Sequence, residues 1–234
     1  MTDNGNSHPT SGDLGGGASA GPIGEGFTLP DADLIASELV RTLPLHRFFA
    51  DKAAGIDGLD VLVHAPAVRG DAESPDVDLL FVRVRSGGAS PAYLLPIAWG
   101  DALPAAHEDA LLVAGEGVLG YDALVDPAAV TALGRTLAAD GALGPMVLKK
   151  VSGAELPVPE KGRPMGVEQS NTSVIFDDEV MMKVFRRLHP GVNADVELLA
   201  ALSAADCASV PRLYGWAELE VDGETYTTAM LQEF

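Results

Sequence analysis

Apolar and polar positions along the chain set out a mixed pattern of helices and strands. Leu34, Ile35, Leu39 and Val40 fall at helical spacing over Ala32 to Arg41, behind Asp31 as the capping residue. Strands are predicted over Asp60 to Val68, Val77 to Val84 and Ala92 to Trp99, with Ser86-Gly87-Gly88 as a turn between the second and third. The stretch Val77 to Arg85 alternates at its far end, which predicts one wet face, and the short connections fit antiparallel pairing. His107 to Val113 fits strand or helix, and Gly115 to Gly120 reads as loop. Asp126 followed by Pro127 is a helix start; Val130, Leu133 and Leu137 form the stripe, and Gly141 ends it.

Met146 to Val151 then predicts a strand, and Ala154 to Pro164 a loop. Gly166 to Phe176 and Val180 to Arg186 read as a hairpin across Asp177-Asp178-Glu179. Asn193 can cap a helix from Ala194 to about Ala204. Pro211 to Val221 and Glu224 to Phe234 form a second hairpin across Asp222-Gly223. The expected fold class is α+β with mostly antiparallel sheets. Residues 1–27 should be a disordered tail, 28–110 a helix-and-sheet subdomain, and 111–234 a second unit.

Composition narrows the partners. A net charge of −19, from 34 acids against 15 bases, argues against nucleic acid or an anionic membrane surface as a general partner. The single cysteine, Cys207, permits no internal disulfide. No apolar run reaches the roughly 18 residues of a membrane span, and the first residues lack a signal-peptide core. The chain reads as cytoplasmic.

Candidate chemistry concentrates around one lysine. Met181, Lys183 and Phe185 share one strand face. Before them lies a loop of small hydroxyl and amide residues, Gln169 to Ser173, and after them a helix carrying Glu197. Loop, hairpin, lysine, helix and glutamate in that order match a kinase small lobe, where a loop covers the phosphates and a helix glutamate holds the strand lysine. Each element alone has an ordinary explanation: a polar turn, a lysine whose stem lies on apolar surface, a solvated helix glutamate. Arg186-Arg187 is read as a solvated strand end, with contact to phosphate or a partner lobe as the functional rival. His46, His64, His107 and His189 are scattered without metal-ligand spacing. No nucleophile–base pairing is evident.

Glu168 to Phe176, then Met182-Lys183-Val184-Phe185-Arg186-Arg187, then Pro190-Gly191-Val192-Asn193 and Asp195-Val196-Glu197, resemble the bacterial maltokinase family, which includes members fused to trehalose synthase. The stretches His46 to Lys52 and Tyr121 to Pro127 resemble the family more weakly, the first because members usually have Trp in place of Phe48 and glycine near Ala50-Asp51. The resemblance spans about Leu29 to Phe234.

It implies a cap subdomain followed by a kinase-like small lobe of the aminoglycoside-phosphotransferase type. The implied reaction is transfer of the γ-phosphoryl group of ATP to the anomeric hydroxyl of maltose. The implied ATP-binding residues are Gln169, Ser170, Asn171, Thr172 and Ser173 as phosphate loop, Lys183 with Glu197 as its helix partner, and Gln232, Glu233 and Phe234 at the adenine-receiving hinge. The catalytic base, the Mg²⁺ ligands and the maltose pocket are expected in a large lobe outside this chain, so the 234 residues alone should be inactive. Trehalose synthase is an expected partner. Two alternatives stand beside this: a kinase for another acceptor, such as an amino sugar or aminoglycoside, and a non-catalytic module docking to a glucan-metabolising enzyme.

Overall fold

The computed structural model describes residues 29–167, 170–205, 207 and 209–234. The tail expected over residues 1–27 lies outside them, as do Glu168 and Gln169. Two antiparallel sheets share the chain. The first takes β1 (Gly58–Val68), β2 (Asp76–Arg85), β3 (Ala92–Gly100), β4 (Leu111–Ala114) and β5 (Leu119–Asp122) in the order β1-β2-β3-β5-β4. The second takes β6 (Ala142–Leu143), β7 (Met146–Lys150), β8 (Gly162–Val167), β9 (Asn171–Phe176), β10 (Val180–Phe185), β12 (Leu213–Val221) and β13 (Glu224–Glu233) in the order β6-β7-β12-β13-β10-β9-β8. A two-residue strand, β11 (Arg187–Leu188), pairs with β3 of the first sheet.

Three helices complete the described chain: α1 (Ala32–Thr42), α2 (Pro127–Asp140) and α3 (Ala194–Ala204). Each starts where a side chain can cap it. Asp31 accepts from Leu34 N–H, Asp126 from Ala128 N–H ahead of the proline, and Asn193 from Asp195 N–H. Gly141 closes α2 in the left-handed conformation. The two hairpin turns follow one rule. Asp177-Asp178 and Asp222-Gly223 all have positive φ, the conformation that matches the twist of the strands they join.

Strand β2 is buried on both sides over most of its length, so the wet face predicted for it is confined to its far end, where Arg83 is half-buried and Arg85 exposed. Leu80, Val82 and Val84 of β2, with Tyr93, Leu95, Ile97 and Trp99 of β3, point into a core covered by Ile35, Leu39 and Leu43 of the α1 region. Val77, Leu79 and Phe81, with Leu94 and Ala98, point the other way, into a core shared with α2 and the second sheet. A helix on one side and the second sheet on the other cover the rest of β2. Strand β8 is a further departure. Its first residues fall in the predicted loop, yet they pair with β9 at the sheet edge, where Pro164 costs no ladder bond. The first sheet also runs on through β4 and β5 to Asp122, past residue 110.

Candidate functional site

The lysine strand β10 lies inside the second sheet, between β9 and β13. Lys183 stands opposite Ser173 on one neighbour and Met230 on the other, and Met230 stands opposite Trp216 of β12. These four residues form a row across the sheet on one face. Along the same face, Phe185 stands opposite Asn171 at one end and Met181 opposite Gln232 at the other. Four residues of strand separate the two ends, about 13 Å at ~3.3 Å per residue. The opposite face, with Val180, Met182 and Val184, belongs to the apolar core. The alternating Met, Lys and Phe of β10 thus place Lys183 between two apolar neighbours of its own strand, with Ser173, Asn171 and Gln232 beside it on the flanking strands.

Lys183 has a carboxylate partner, but it is not Glu197. Lys183 Nζ donates to Asp195 Oδ2 at 2.7 Å. Glu197 is exposed and makes no ion pair among the described residues. The reason is local geometry. Asn193 caps α3, so Asp195 sits in the first half-turn, nearest the strand exit, whereas Glu197 lies about 200° further round the helix at 100° per residue. The helix dipole favours acids anywhere in this first turn, and so did not separate the two.

A cleft of about 540 Å³ opens beside this pair. Its walls include Ser170, Asn171, Phe185, Arg187, Asn193 and Asp195. Lys183 borders it through both of its contacts, Asp195 and the Phe185 ring 5.9 Å from Nζ. The N-terminus of α3, where Asn193 Oδ1 takes the Asp195 N–H, adds the partial positive charge of the helix dipole. Arg187 supplies a second cation, held 3.6 Å from Asp51. Two cations, a helix N-terminus and small polar side chains are groups that hold anionic oxygens. Among the described residues no group of three or more His, Cys, Asp and Glu is placed to hold a metal ion. No described helix is long and apolar enough to cross a membrane.

The predicted loop residues separate by face. Ser170 and Asn171 line the cleft, and Ser173 lies in the lysine row. Thr172 points into the interior, 1% exposed, where its Oγ1 accepts from Arg186 Nε at 2.9 Å. Gln169 lies outside the described residues. Gln232, Glu233 and Phe234 lie at the hairpin end of the sheet. Gln232 pairs with Met181, Glu233 N–H donates to Arg212 O, and Phe234 N–H donates to Glu179 O.

Arg186 reverses the sequence expectation of a solvated strand end. It is 0% exposed and forms a forked ion pair with Asp122, Nη2 lying 2.7 and 2.6 Å from the two carboxylate oxygens. Its guanidinium stacks over Phe48, 4.5 Å from the ring centroid. The aromatic-basic stretch near the N-terminus surrounds this point. Phe49 packs on Tyr93, and Asp51 accepts from Tyr93 Oη at 2.9 Å. Burial first, then the Asp51 hydrogen bond, push the Tyr93 hydroxyl pKa up. His46 donates from Nε2 to Leu111 O, and burial lowers its pKa below the ordinary histidine value despite that bond. The missed signal was the two adjacent arginines following an apolar strand: consecutive residues face opposite ways, so one had to turn inward.

A strand lysine tied to a helix carboxylate, in a twisted antiparallel sheet with a second sheet packed behind it, defines the small-lobe half of a kinase-like fold. Solved structures share it. A glucosamine kinase in complex with glucosamine, ADP and inorganic phosphate superposes with a TM-score of 0.51 at 19% identity, over 89% of this chain and 41% of that one. Crystal form A of a glucosamine kinase gives 0.52 at 18% identity, over 89% and 42%. The chain therefore spans about two fifths of the length of these structures. Residues 43–126, which carry β1 to β5, match the maltokinase N-terminal cap domain.

Proposed function

We propose that this chain supplies the nucleotide-holding half of an ATP-dependent sugar kinase, with maltose as acceptor and maltose 1-phosphate as product. The observation that carries the reading is the Lys183–Asp195 ion pair beside the cleft, at the phosphate end of a sheet face about 13 Å long by strand rise. A nucleoside triphosphate laid along that face would have its adenine toward Gln232, Glu233 and Phe234 and its phosphates toward Ser170, Asn171 and Lys183. The cap match supports maltose as acceptor. Mg²⁺ would accompany ATP, but the described residues offer it no ligand cluster, and Asp195 is committed to Lys183. Its ligands, the catalytic base and the sugar pocket would come from a large lobe. In phosphoryl transfer, positioning and charge stabilisation supply nearly all the catalysis, so the 234 residues should bind the nucleotide without turning it over. A trehalose-synthase partner and a cytoplasmic location accompany this reading.

The test is calorimetric titration of Mg·ATP into the 234-residue chain and its Lys183→Ala variant. Binding that falls tenfold or more in the variant supports the reading. Equal binding removes Lys183 from the site. In the complete kinase, maltose and glucosamine compared as acceptors decide the sugar.

A further inference from the structure

The chain changes sheets at one residue. Strand β10 ends at Phe185 in the second sheet, and β11 begins at Arg187 in the first. Between them, the backbone of Arg186 bonds to both sides. Its N–H donates to Ser170 O at 2.9 Å, and its carbonyl accepts from Leu94 N–H of β3 at 2.9 Å. Its side chain repeats the pattern. Asp122 and Phe48 hold the guanidinium from the cap, and Thr172 meets Nε from β9. Arg186 cannot itself touch a bound phosphate, because no part of it is exposed.

Stability is a poor reason for this arrangement. Burying two charges costs so much desolvation that an apolar pair of similar volume often serves as well. One nitrogen, Nη1, is buried with no hydrogen-bond partner, which adds to that cost. What the rigid, planar guanidinium provides instead is fixed geometry, with Nη2 on both Asp122 oxygens and Nε on Thr172 Oγ1. The side chain fixes Thr172 beside Asn171, and the backbone of the same residue fixes Ser170, which lines the cleft, at the exit of the strand that carries Lys183.

We infer that Arg186 is a positioning residue that transmits the placement of the cap to the phosphate-holding loop and the lysine strand. This rests on the nucleotide reading above. The cap's Asp122 sets the guanidinium, the guanidinium sets Thr172, and the Arg186 backbone sets Ser170. A cap that shifts against the lobe therefore moves the phosphate end of the cleft, although no cap side chain needs to touch the nucleotide.

The experiment compares Asp122→Asn, Thr172→Val and the apolar double variant Asp122→Leu/Arg186→Met, all in the 234-residue chain. Thr42→Val is the control. It removes a cap-internal hydrogen bond from Thr42 Oγ1 to Leu112 O and has no link to Arg186. Amide hydrogen exchange is followed over 170–176 and 180–188, alongside melting temperature and Mg·ATP affinity. Asp122→Asn, a change in the cap, is expected to raise exchange in the lobe segment 170–176 at least fivefold and weaken Mg·ATP about tenfold. Thr172→Val should do the same from the lobe side. The double variant should recover melting temperature but not affinity. Thr42→Val should lower melting temperature alone. Wild-type exchange in 170–176 for both Asp122→Asn and the double variant overturns the inference. A wild-type chain that binds no Mg·ATP overturns the nucleotide reading instead, and the exchange comparison still decides the coupling.

Discussion

Asp195→Asn and Glu197→Gln form a matched pair of perturbations. Each removes one negative charge from the first turn of α3, two residues apart. The long-range effect of that charge on an approaching polyphosphate is therefore nearly common to both, and it cancels in the comparison. What remains is the direct bond from Lys183 Nζ to Asp195 Oδ2, 2.7 Å long. The lysine side chain is 20% exposed and the aspartate 52%, so solvent screens the pair. Pairs of this kind contribute about 0.2–1 kcal/mol to stability. For a domain of this size that moves the melting temperature by no more than about 2–4 °C. Binding should respond more strongly. A lysine freed from its anchor samples several rotamers, and forfeiting about 1.4 kcal/mol of a charge-assisted hydrogen bond of about 1.5–3 kcal/mol is about tenfold in Kd. Calorimetry with Mg·ATP should therefore show Asp195→Asn about tenfold weaker than Glu197→Gln. In a Lys183→Ala background the two should become equivalent. If Glu197→Gln is the weaker binder, or the two are equal with Lys183 present, the assignment of Asp195 as the lysine's anchor is wrong.

Two further expectations concern stability. His46 is buried with its pKa lowered, so the unfolded chain takes up a proton first as pH falls. Its contribution is fully present above about pH 6.5 and is lost below it, at up to about 1.4 kcal/mol per pH unit. Urea unfolding at pH 7.5 and 5.5 should show wild type losing more than His46→Gln, and identical pH dependence would refute this. Gly144 has φ +52, and an added Cβ would lie 2.6 Å from the Pro66 carbonyl oxygen of β1, whereas Gly223 has φ +78 with open space around it. Alanine at either position meets a conformational cost of roughly 1 kcal/mol or more, and only at Gly144 does it also drive the two sheets apart. A larger loss of melting temperature for Gly144→Ala than for Gly223→Ala is expected, and the reverse order would show that the contact yields freely.

The sequence disclosed what local chemistry decides. The capping Asp31, Asp126 and Asn193 placed three helix starts, and Asp177-Asp178 and Asp222-Gly223 placed two hairpin turns, because each signal acts within a few residues. What escaped it depends on partners distant in the chain. Strand β8 looked like loop because its pairing with β9 outweighs its proline only at a sheet edge. The second face of β2 is wet only at its Arg83–Arg85 end, and the sheet that covers the rest of it begins more than 50 residues later. The lysine was legible from its apolar neighbours, but choosing between Asp195 and Glu197 required the rotation of α3 against the strand exit.

The two arginines that end the lysine strand show how one local rule can serve two functions. Alternation sends adjacent side chains to opposite sides. Arg186 turns into the seam between the sheets, and Arg187 turns out to the cleft. Both are met by the same short cap segment, Phe48 stacking on the first and Asp51 pairing with the second. That segment is itself anchored to the cap by His46 on Leu111 and, through Asp51, on Tyr93. It is the counterpart of Arg186 and Arg187, about 140 residues away. A change in it, such as Phe48→Ala, should reach the cleft through the arginines before it disturbs the cap core.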